Sequence, residues 1–291
     1  MVQFLLLAAA WGSSFLCIKI GLEGLSPAQV VVARLVGGAA ALVLMVTISR
    51  TRIPPIGAVW AHLGVVAVLL CVLPFLLFAW AEEHISSGLA AIYNATTPLM
   101  TMLVAIVALP EERPGLTRLA GLLTGLIGVI VVLGPWHGVT GGSGIAQIAC
   151  LMATASYGIA FVYLRRFIVP RQFPALTVAT VQVGIGAALM LVLTPLIATQ
   201  PVHLSTRVVA GMLFLGVLGT GLAYVLNTNV VNAWGATTAS AVTYLTPVIG
   251  VTLGIILLAE HITWNQPLGA VVVIAGIALS RTQPTRTRLS G

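Results

Sequence analysis

The chain consists almost entirely of apolar stretches about as long as a membrane-spanning helix. An α-helix needs ~20 residues to cross a bilayer. Ten spans of that kind run over residues 2–21, 28–49, 59–81, 86–109, 115–134, 144–167, 175–198, 207–231, 236–259 and 266–281. Only 7% of the residues are charged, whereas a soluble domain carries about 25%. The sequence therefore predicts an all-α membrane protein of ten transmembrane helices, with no separate soluble domain.

The fourth and ninth spans have similar sequences. Pro98 in the fourth span is matched by Pro247 in the ninth, 149 residues later. The same spacing relates Ala90 to Ala239, Thr97 to Thr246 and Glu111 to Glu260. A proline inside a helix removes one N–H group and breaks the hydrogen-bond ladder. Broken helices at corresponding places in two halves of a chain point to a transport site, so we predict that Pro98 and Pro247 mark helix breaks that take part in gating.

The repeat extends over the rest of the chain. At a spacing of 146, the matched pairs are Trp11 and Tyr157, Gly12 and Gly158, Phe15 and Phe161, and Lys19 and Arg165. We predict a first repeat over residues 1–134, a linker at 135–143, a second repeat over 144–281 and a cytoplasmic tail at 282–291. Because each repeat holds five spans, an odd number, the two must face opposite ways across the membrane. Inverted repeats of this kind build transporters that alternate access around a central site.

The arginines predict the orientation. With a cytoplasmic N-terminus, the inside segments hold Arg50, Arg52, Arg113, Arg118, Arg165, Arg166, Arg171, Arg281, Arg286 and Arg288, and the outside loops hold only Arg207. Cytoplasmic loops of membrane proteins carry an excess of Lys and Arg. We therefore expect both termini of a multi-pass membrane protein to be cytoplasmic.

At this level of detail the sequence resembles a known family. The segment from Trp11 through Gly-Ser-Ser-Phe15 to Lys19, Ser26-Pro27 followed by Arg34, and the two proline-containing helices that end in Glu are similar to the paired EamA domains of the drug/metabolite transporter superfamily. The resemblance implies ten helices in two inverted repeats around a central cavity. Its members export amino acids and other small metabolites, or carry nucleotide sugars and phosphorylated sugars. The second repeat departs from the first in having Gln182 near the place of Arg34.

The sequence argues against catalysis, cofactors and nucleic-acid binding. The chain contains no Asp, its five histidines are scattered, and the single lysine has no preceding phosphate-binding glycines. The net charge of +7 comes from arginines scattered through loops, whereas binding to a nucleic-acid backbone needs a basic surface outside the membrane. We predict no enzyme activity, no cofactor and no metal site.

Uncharged polar residues gather beside both prolines. Residues 94, 97 and 101 share one helical face, and Pro98 and Pro247 each free the carbonyl four residues earlier, at Asn94 and Thr243. Hydroxyl and amide groups in the bilayer core are costly unless they are paired or face water. Interhelical hydrogen bonding and a cavity-lining role both remain open for them. The predicted substrate-binding residues are Trp11, Arg34, Asn94, Thr97, Thr101, Tyr157, Asn227, Thr243 and Tyr244.

Arg34 lies seven positions into the second span, ~10 Å below its outer end. A charge at that depth should face the protein interior or a wet cavity. Either it attracts a substrate carboxylate or forms an outer gate, or it is a structural residue bonded to helix-end carbonyls or to Glu23. For Lys19, which has Glu23 one turn on, we expect interface anchoring.

The function predicted from the sequence is secondary transport: export of small polar or zwitterionic metabolites, most readily amino acids, by alternating access. The alternatives are an effluxer of multiple drugs or organic cations in the same superfamily, and a membrane partner or sensor that transports nothing. The expected partners are a small-molecule substrate and the lipid bilayer. Gly121, Gly125 and Gly128 would suit either a homodimer face or packing within a monomer.

Overall fold

A computed structural model describes residues 1–85, 87–109, 115–133, 143–249 and 264–281. Every regular element in these ranges is helical. The α-helices are α1 (Val2–Gly12), α2 (Ser14–Leu22), α3 (Pro27–Ser49), α4 (Ala58–Ala67), α5 (Leu73–Ala81), α6 (Ser87–Asn94), α7 (Thr97–Ala108), α8 (Leu116–Leu133), α9 (Gly144–Tyr163), α10 (Ala175–Ile197), α11 (Thr206–Gly216), α12 (Ala223–Trp234), α13 (Ala236–Ser240) and α14 (Asn265–Arg281). Short π-helical turns join some of them at Val68–Val72, Leu164–Ile168 and Val217–Leu222, and 3₁₀ turns occupy Val169–Arg171 and Ala241–Tyr244.

Seven helical stretches among the described residues are long and apolar enough to cross a membrane. They are Val2–Leu22, Pro27–Ser49, Ala58–Ala81, Ala90–Ala108, Gly144–Arg171, Ala175–Ile197 and Thr206–Trp234. Leu116–Val131 and Pro267–Ser280 are shorter apolar helices. The all-α, multi-pass class is confirmed. The arrangement of ten helices in two inverted repeats stays a prediction, because residues 250–259 of the ninth span lie outside the described residues. Glu111 and Glu260 lie outside them as well.

The irregular turns follow the sequence repeat. The third span of each half contains a π-helical turn, at Val68–Val72 and at Val217–Leu222, and the two begin 149 residues apart. A π-helical turn adds a residue to one turn of an α-helix and is frequent at functional sites. Both halves therefore interrupt the α-helical hydrogen bonding of the third span at the corresponding place.

Helices α8 and α14 pack along a seam of glycines. A Cβ atom at Gly121 would clash with the backbone of Ser280, one at Gly276 would clash with the backbone of Gly125, and one at Gly128 would come within 2.6 Å of the Val273 nitrogen. Small residues let two membrane helices approach backbone to backbone. These glycines thus serve packing within the chain.

One end of the bundle holds a wide, open vestibule of about 750 Å³. Residues 22–28 line it together with Ile197, Gln200, Pro201 and His203 and with residues at the end of α5 and just after it. The His203 amide donates to the Gly24 carbonyl at 2.9 Å. Ser26 starts α3 with a capping box shared with Gln29, whose side-chain amide also donates to the Gln200 carbonyl at 2.6 Å. Capping and loop pairing together fix the beginning of α3 at the vestibule. We call this the vestibule end.

The opposite end is rich in arginine. Arg166 donates to the Ala108 carbonyl at the end of α7, and Thr177 donates to the Arg52 carbonyl at 3.1 Å. Helix C-termini carry partial negative charge, which a cation stabilises. We call this the arginine end, and the helices of the bundle run between it and the vestibule end.

Lys19 and Arg165, matched in the sequence repeat, make matching contacts at opposite ends. The Lys19 Nζ donates to the Glu82 carbonyl just after α5, at 3.1 Å. The Arg165 Nη1 donates to the Asn232 carbonyl in the last turn of α12, at 3.3 Å. In each half the basic residue of the first span thus caps the third span, which is a structural role for Lys19.

Candidate functional site

A small cavity lies in the middle of the bundle, at the junction of both halves. Its volume is about 50 Å³. The residues that line it are Trp11, Ser14, Phe15, Arg34, Phe75, Phe78, Asn94, Tyr157, Phe161, Tyr224 and Thr243. Both halves of the chain therefore contribute to the cavity wall.

Among the described residues that line the cavity, Arg34 is the only one with a charged side chain, and the residue is only 5% exposed. Its Nε donates to the Thr220 hydroxyl at 2.9 Å and its Nη2 to the Gly219 carbonyl at 3.4 Å, both in the π-helical turn Val217–Leu222. The guanidinium carbon lies 3.6 Å from the centre of the Phe75 ring. No carboxylate of the described residues lies within salt-bridge distance of it. The positive charge is therefore held in place by neutral groups alone.

Glu23 does not serve as the partner of Arg34. It pairs instead with Arg207 at 3.5 Å, at the rim of the vestibule, where both side chains are about half exposed or more. Exposed ion pairs of this kind contribute little to stability. The sequence left open whether Arg34 bonds to helix carbonyls or faces a cavity. In the structure it does both: it donates to the Gly219 carbonyl and lines the cavity.

Aromatic rings form the walls of the cavity. Trp11 meets Tyr224 edge to face, with ring centres 6.2 Å apart, and Phe75 meets the same Tyr224 at 6.4 Å. Phe78 stacks on Tyr157 at 6.1 Å. The Tyr224 hydroxyl points away from the cavity, since it donates to the Leu70 carbonyl at 2.8 Å in the other π-helical turn. Aromatic faces carry partial negative charge and attract cations, so these walls complement a solute's ammonium group.

Three polar groups at the cavity make no hydrogen bond to any described residue. They are the Asn94 carboxamide, the Tyr157 hydroxyl and the Trp11 indole N–H, on three different helices. Asn94 is buried, whereas Trp11 and Tyr157 are partly exposed. Water or a solute in the cavity can bond to these groups, which offer both donors and acceptors.

The helix breaks lie immediately before the two prolines. Helix α6 ends at Asn94 and α7 begins at Thr97, while the second break is the 3₁₀ turn Ala241–Tyr244. The freed carbonyls already have partners: Thr97 donates its hydroxyl to the Asn94 carbonyl at 2.7 Å, and Thr246 donates to the Thr243 carbonyl at 2.8 Å. The same intrahelical cap thus recurs in both halves.

The predicted substrate residues divide into two groups. Trp11, Arg34, Asn94, Tyr157 and Thr243 line the cavity. Thr97 and Thr101 bond to carbonyls of their own chain segment, and the Tyr244 hydroxyl donates to the Leu122 carbonyl on α8 at 2.7 Å. Asn227 is fully buried away from the cavity lining.

The lining also contains residues that the sequence reasoning did not select. They are Ser14, Phe15, Phe75, Phe78, Phe161 and Tyr224. A signal was present, because Phe75 and Tyr224 are 149 residues apart and Phe15 and Phe161 are 146 apart, the two spacings of the repeat. Repeat-matched aromatic residues would therefore have found most of the cavity wall.

Within the described ranges no group of three or more His, Cys, Asp or Glu residues is arranged to hold a metal ion. The cavity offers one fixed cation, hydrogen-bonding groups and aromatic surface, in a bundle of membrane-length helices. These are the parts of a binding site for a small solute within a membrane transport protein.

Comparison with known proteins gives the family. Residues 1–134 and 144–282 match the EamA-like transporter family, and the chain belongs to that family. The resemblance to the drug/metabolite transporter superfamily is thereby confirmed. A solved crystal structure shares the fold, with a TM-score of 0.79 and 18% identity, covering 96% of this chain and 95% of the other.

Related sequences carry transporter names. The uncharacterized transporter YdfC of Bacillus subtilis is 27% identical over 288 residues, covering 96% of this chain and 90% of the relative. A probable terminal-alkyne amino-acid exporter of Streptantibioticus cattleyicolor is 26% identical, covering 94% of this chain and 90% of the relative. The family and these names describe transporters.

Proposed function

We propose that the protein is a secondary transporter of small zwitterionic metabolites, with amino acids as the preferred class. The observation that carries this proposal is Arg34, a buried cation that faces the cavity without a carboxylate partner among the described residues. A buried charge is costly unless an opposite charge or hydrogen bonds compensate it. A substrate carboxylate would complete the set of partners that Thr220 and Gly219 begin.

The rest of the cavity suits the other end of an amino acid. An ammonium group can donate to the Asn94 carboxamide oxygen and lie against the faces of Trp11 and Tyr157. The name of the Streptantibioticus relative, an amino-acid exporter, supports the same class of cargo. A cavity whose fixed charge is positive repels organic cations, so the geometry favours a zwitterion over a cationic drug.

Transport would proceed by alternating access between two inverted repeats in a bacterial inner membrane, with both termini cytoplasmic. Four observations support this. The Lys19 and Arg165 caps lie at opposite ends of the bundle, the π-helical turns and threonine caps recur in both halves, and arginines collect at the end opposite the vestibule. The vestibule would then open to the outside, and the arginine end would face the cytoplasm.

The test is Arg34→Gln in proteoliposomes loaded with a panel of labelled amino acids. Loss of a charge-assisted hydrogen bond costs about 1.5–3 kcal/mol, so the half-saturating concentration should rise roughly 10- to 100-fold. Arg34→Lys, which keeps the charge, should recover part of the affinity. An unchanged half-saturating concentration in Arg34→Gln would refute the proposal that Arg34 binds the substrate.

Two control variants separate binding from folding. Thr220→Val removes a structural partner of Arg34 but keeps its charge, so it should lower the melting temperature more than the affinity. Arg207→Gln breaks the exposed pair with Glu23 and should leave both nearly unchanged. Transport of organic cations rather than amino acids would favour the multidrug alternative, and flux of neither would favour a sensor.

A further inference from the structure

Gln182 on α10 and Asn227 on α12 are fully buried carboxamides without partners. Both side chains are 0% exposed. Neither the nitrogen nor the oxygen of either one makes a hydrogen bond to any described residue. We call these two residues the carboxamide pair. Buried polar groups are paired in native proteins, so four such atoms on two neighbouring helices, unpaired among the described residues, are candidates to bind a ligand.

The two side chains lie at a similar depth. Gln182 is seven residues after the start of α10, near the arginine end, and Asn227 is seven residues before the last residue of α12, at the same end. At 1.5 Å per residue, each lies ~10 Å from that end. Helices α10 and α12 pack against each other. The pair therefore sits between the arginine end and the central cavity.

The repeat relates the pair to two residues of the cavity wall. Helices α3 and α10 have their N-caps at Ser26 and Pro174, 148 residues apart, and this spacing places Gln182 at the position of Arg34. The spacing of 149 that relates Phe75 to Tyr224 relates Phe78 to Asn227. Arg34 and Phe78 both line the cavity. Gln182 and Asn227 thus hold, in the second half, positions that face the solute in the first.

Packing around these helices supports the same alignment. A Cβ atom at Gly38, one turn beyond Arg34, would meet the Thr220 side chain at 2.8 Å, and one at Gly186, one turn beyond Gln182, would meet Cys71 at 3.6 Å. Thr220 and Cys71 are themselves 149 residues apart, each in a π-helical turn. Helix α10 therefore approaches the turn Val68–Val72 as helix α3 approaches the turn Val217–Leu222.

We propose that the carboxamide pair is a second binding position for the transported solute, reached from the arginine end. This rests on the proposed function of the cavity. Each carboxamide both donates and accepts, so the pair can receive the carboxylate and the ammonium group of a zwitterion. Because it carries no charge, it holds the solute more weakly than Arg34 does. A solute entering from the arginine end meets the pair first and then passes to the cavity.

The first test measures the melting temperature of Gln182→Leu and Asn227→Leu, and the half-saturating concentration for transport that starts from each end of the bundle. An unpartnered buried carboxamide gains nothing from the folded state, so leucine should keep or raise the melting temperature, by up to about 2–4 °C. The half-saturating concentration of labelled amino acid should rise about tenfold from the arginine end and change little from the vestibule end. A fall in melting temperature with unchanged kinetics at both ends would show a structural pair and overturn the proposal.

The second test needs no known solute. In a variant without Cys17, Cys71 and Cys150, Gln182→Cys should react with a hydrophilic maleimide added at the arginine end. Val183→Cys, equally buried on the neighbouring position of α10, is the matched control and should stay unreactive. If Gln182→Cys reacts no faster than Val183→Cys, no path from that end reaches the pair.

Together the two tests distinguish a failure of the proposed function from a failure of the proposed second binding position. If the wild-type protein moves no amino acid while Gln182→Cys reacts selectively, the proposed substrate is wrong and the path through the carboxamide pair stands. If amino-acid transport is found and depends on Arg34 but neither leucine variant alters kinetics from the arginine end, the cavity stands and the second position is refuted.

Discussion

Removing the hydroxyl of Thr97 should destabilise the protein in a way that depends on Pro98. The Asn94 carbonyl receives the Thr97 hydroxyl at 2.7 Å because Pro98 has no N–H to offer. Thr97→Val keeps the side-chain volume but leaves that buried carbonyl without its donor. An unsatisfied buried acceptor costs about 1–3 kcal/mol. At about 2–4 °C per kcal/mol, the melting temperature should fall by roughly 2–8 °C.

The same substitution should cost less in a Pro98→Ala background. Alanine at position 98 restores an N–H group that reaches the Asn94 carbonyl four residues earlier. A double-mutant cycle by thermal denaturation in detergent should therefore show a coupling of about 1 kcal/mol or more. Thr101→Val is the control, since its hydroxyl donates to the Thr97 carbonyl inside α7, where the helical N–H also reaches. Equal costs of Thr97→Val in both backgrounds would refute the capping argument.

Three further outcomes follow from the packing and the two ends of the bundle. Gly276→Ala drives a methyl group into the α8 backbone and should cost about 1–3 kcal/mol, whereas Gly184→Ala, with open space around it, should be neutral or stabilising in thermal denaturation. Lys19→Met removes the cap of α5 and should cost about 0.3–1 kcal/mol without altering substrate affinity; a rise in half-saturation as large as that of Arg34→Gln would place Lys19 in the site instead. In a cysteine-free background, Gln172→Cys and Ser205→Cys, both exposed, should label from opposite sides of the membrane, and labelling of both from one side would contradict the proposed topology.

The helical spans could be predicted because membrane solvation leaves little choice. Apolar stretches of ~20 residues must satisfy their backbone groups internally, and a helix does so within a single segment. The break before Pro98 was predictable for an equally local reason, since a proline removes one N–H and clashes with the preceding turn. Both inferences need only neighbouring residues.

It could not be predicted in the same way which polar side chains line the cavity and which bond to neighbouring helices. Spacing places residues 94, 97 and 101 on related positions of a helix, but the helix ends at Asn94 and restarts at Thr97, which breaks the register. Tyr244 is polar and lies beside a proline, yet its hydroxyl is taken by the Leu122 carbonyl on α8. A hydroxyl in a membrane bundle finds its partner through tertiary packing, which periodicity does not contain.

The repeat separates structural residues from cavity residues better than polarity does. Where the two halves carry the same chemistry, the residues mostly cap and pack: Thr97 and Thr246 cap freed carbonyls, and Lys19 and Arg165 cap helix ends. Phe15 and Phe161 are an exception, since both line the cavity.

Five matched pairs that differ in chemistry have their members in the cavity lining or in the carboxamide pair. The differing pairs are Trp11 and Tyr157, Arg34 and Gln182, Phe75 and Tyr224, Phe78 and Asn227, and Asn94 and Thr243. Two identical halves would present the same surface to a solute from either end of the bundle. The differences place a fixed cation on the vestibule side and neutral carboxamides on the arginine side. Under the function proposed above, a zwitterion would therefore be bound more strongly at Arg34 than at the carboxamide pair, whereas the direction of net transport would follow the solute gradient or a coupled driving force.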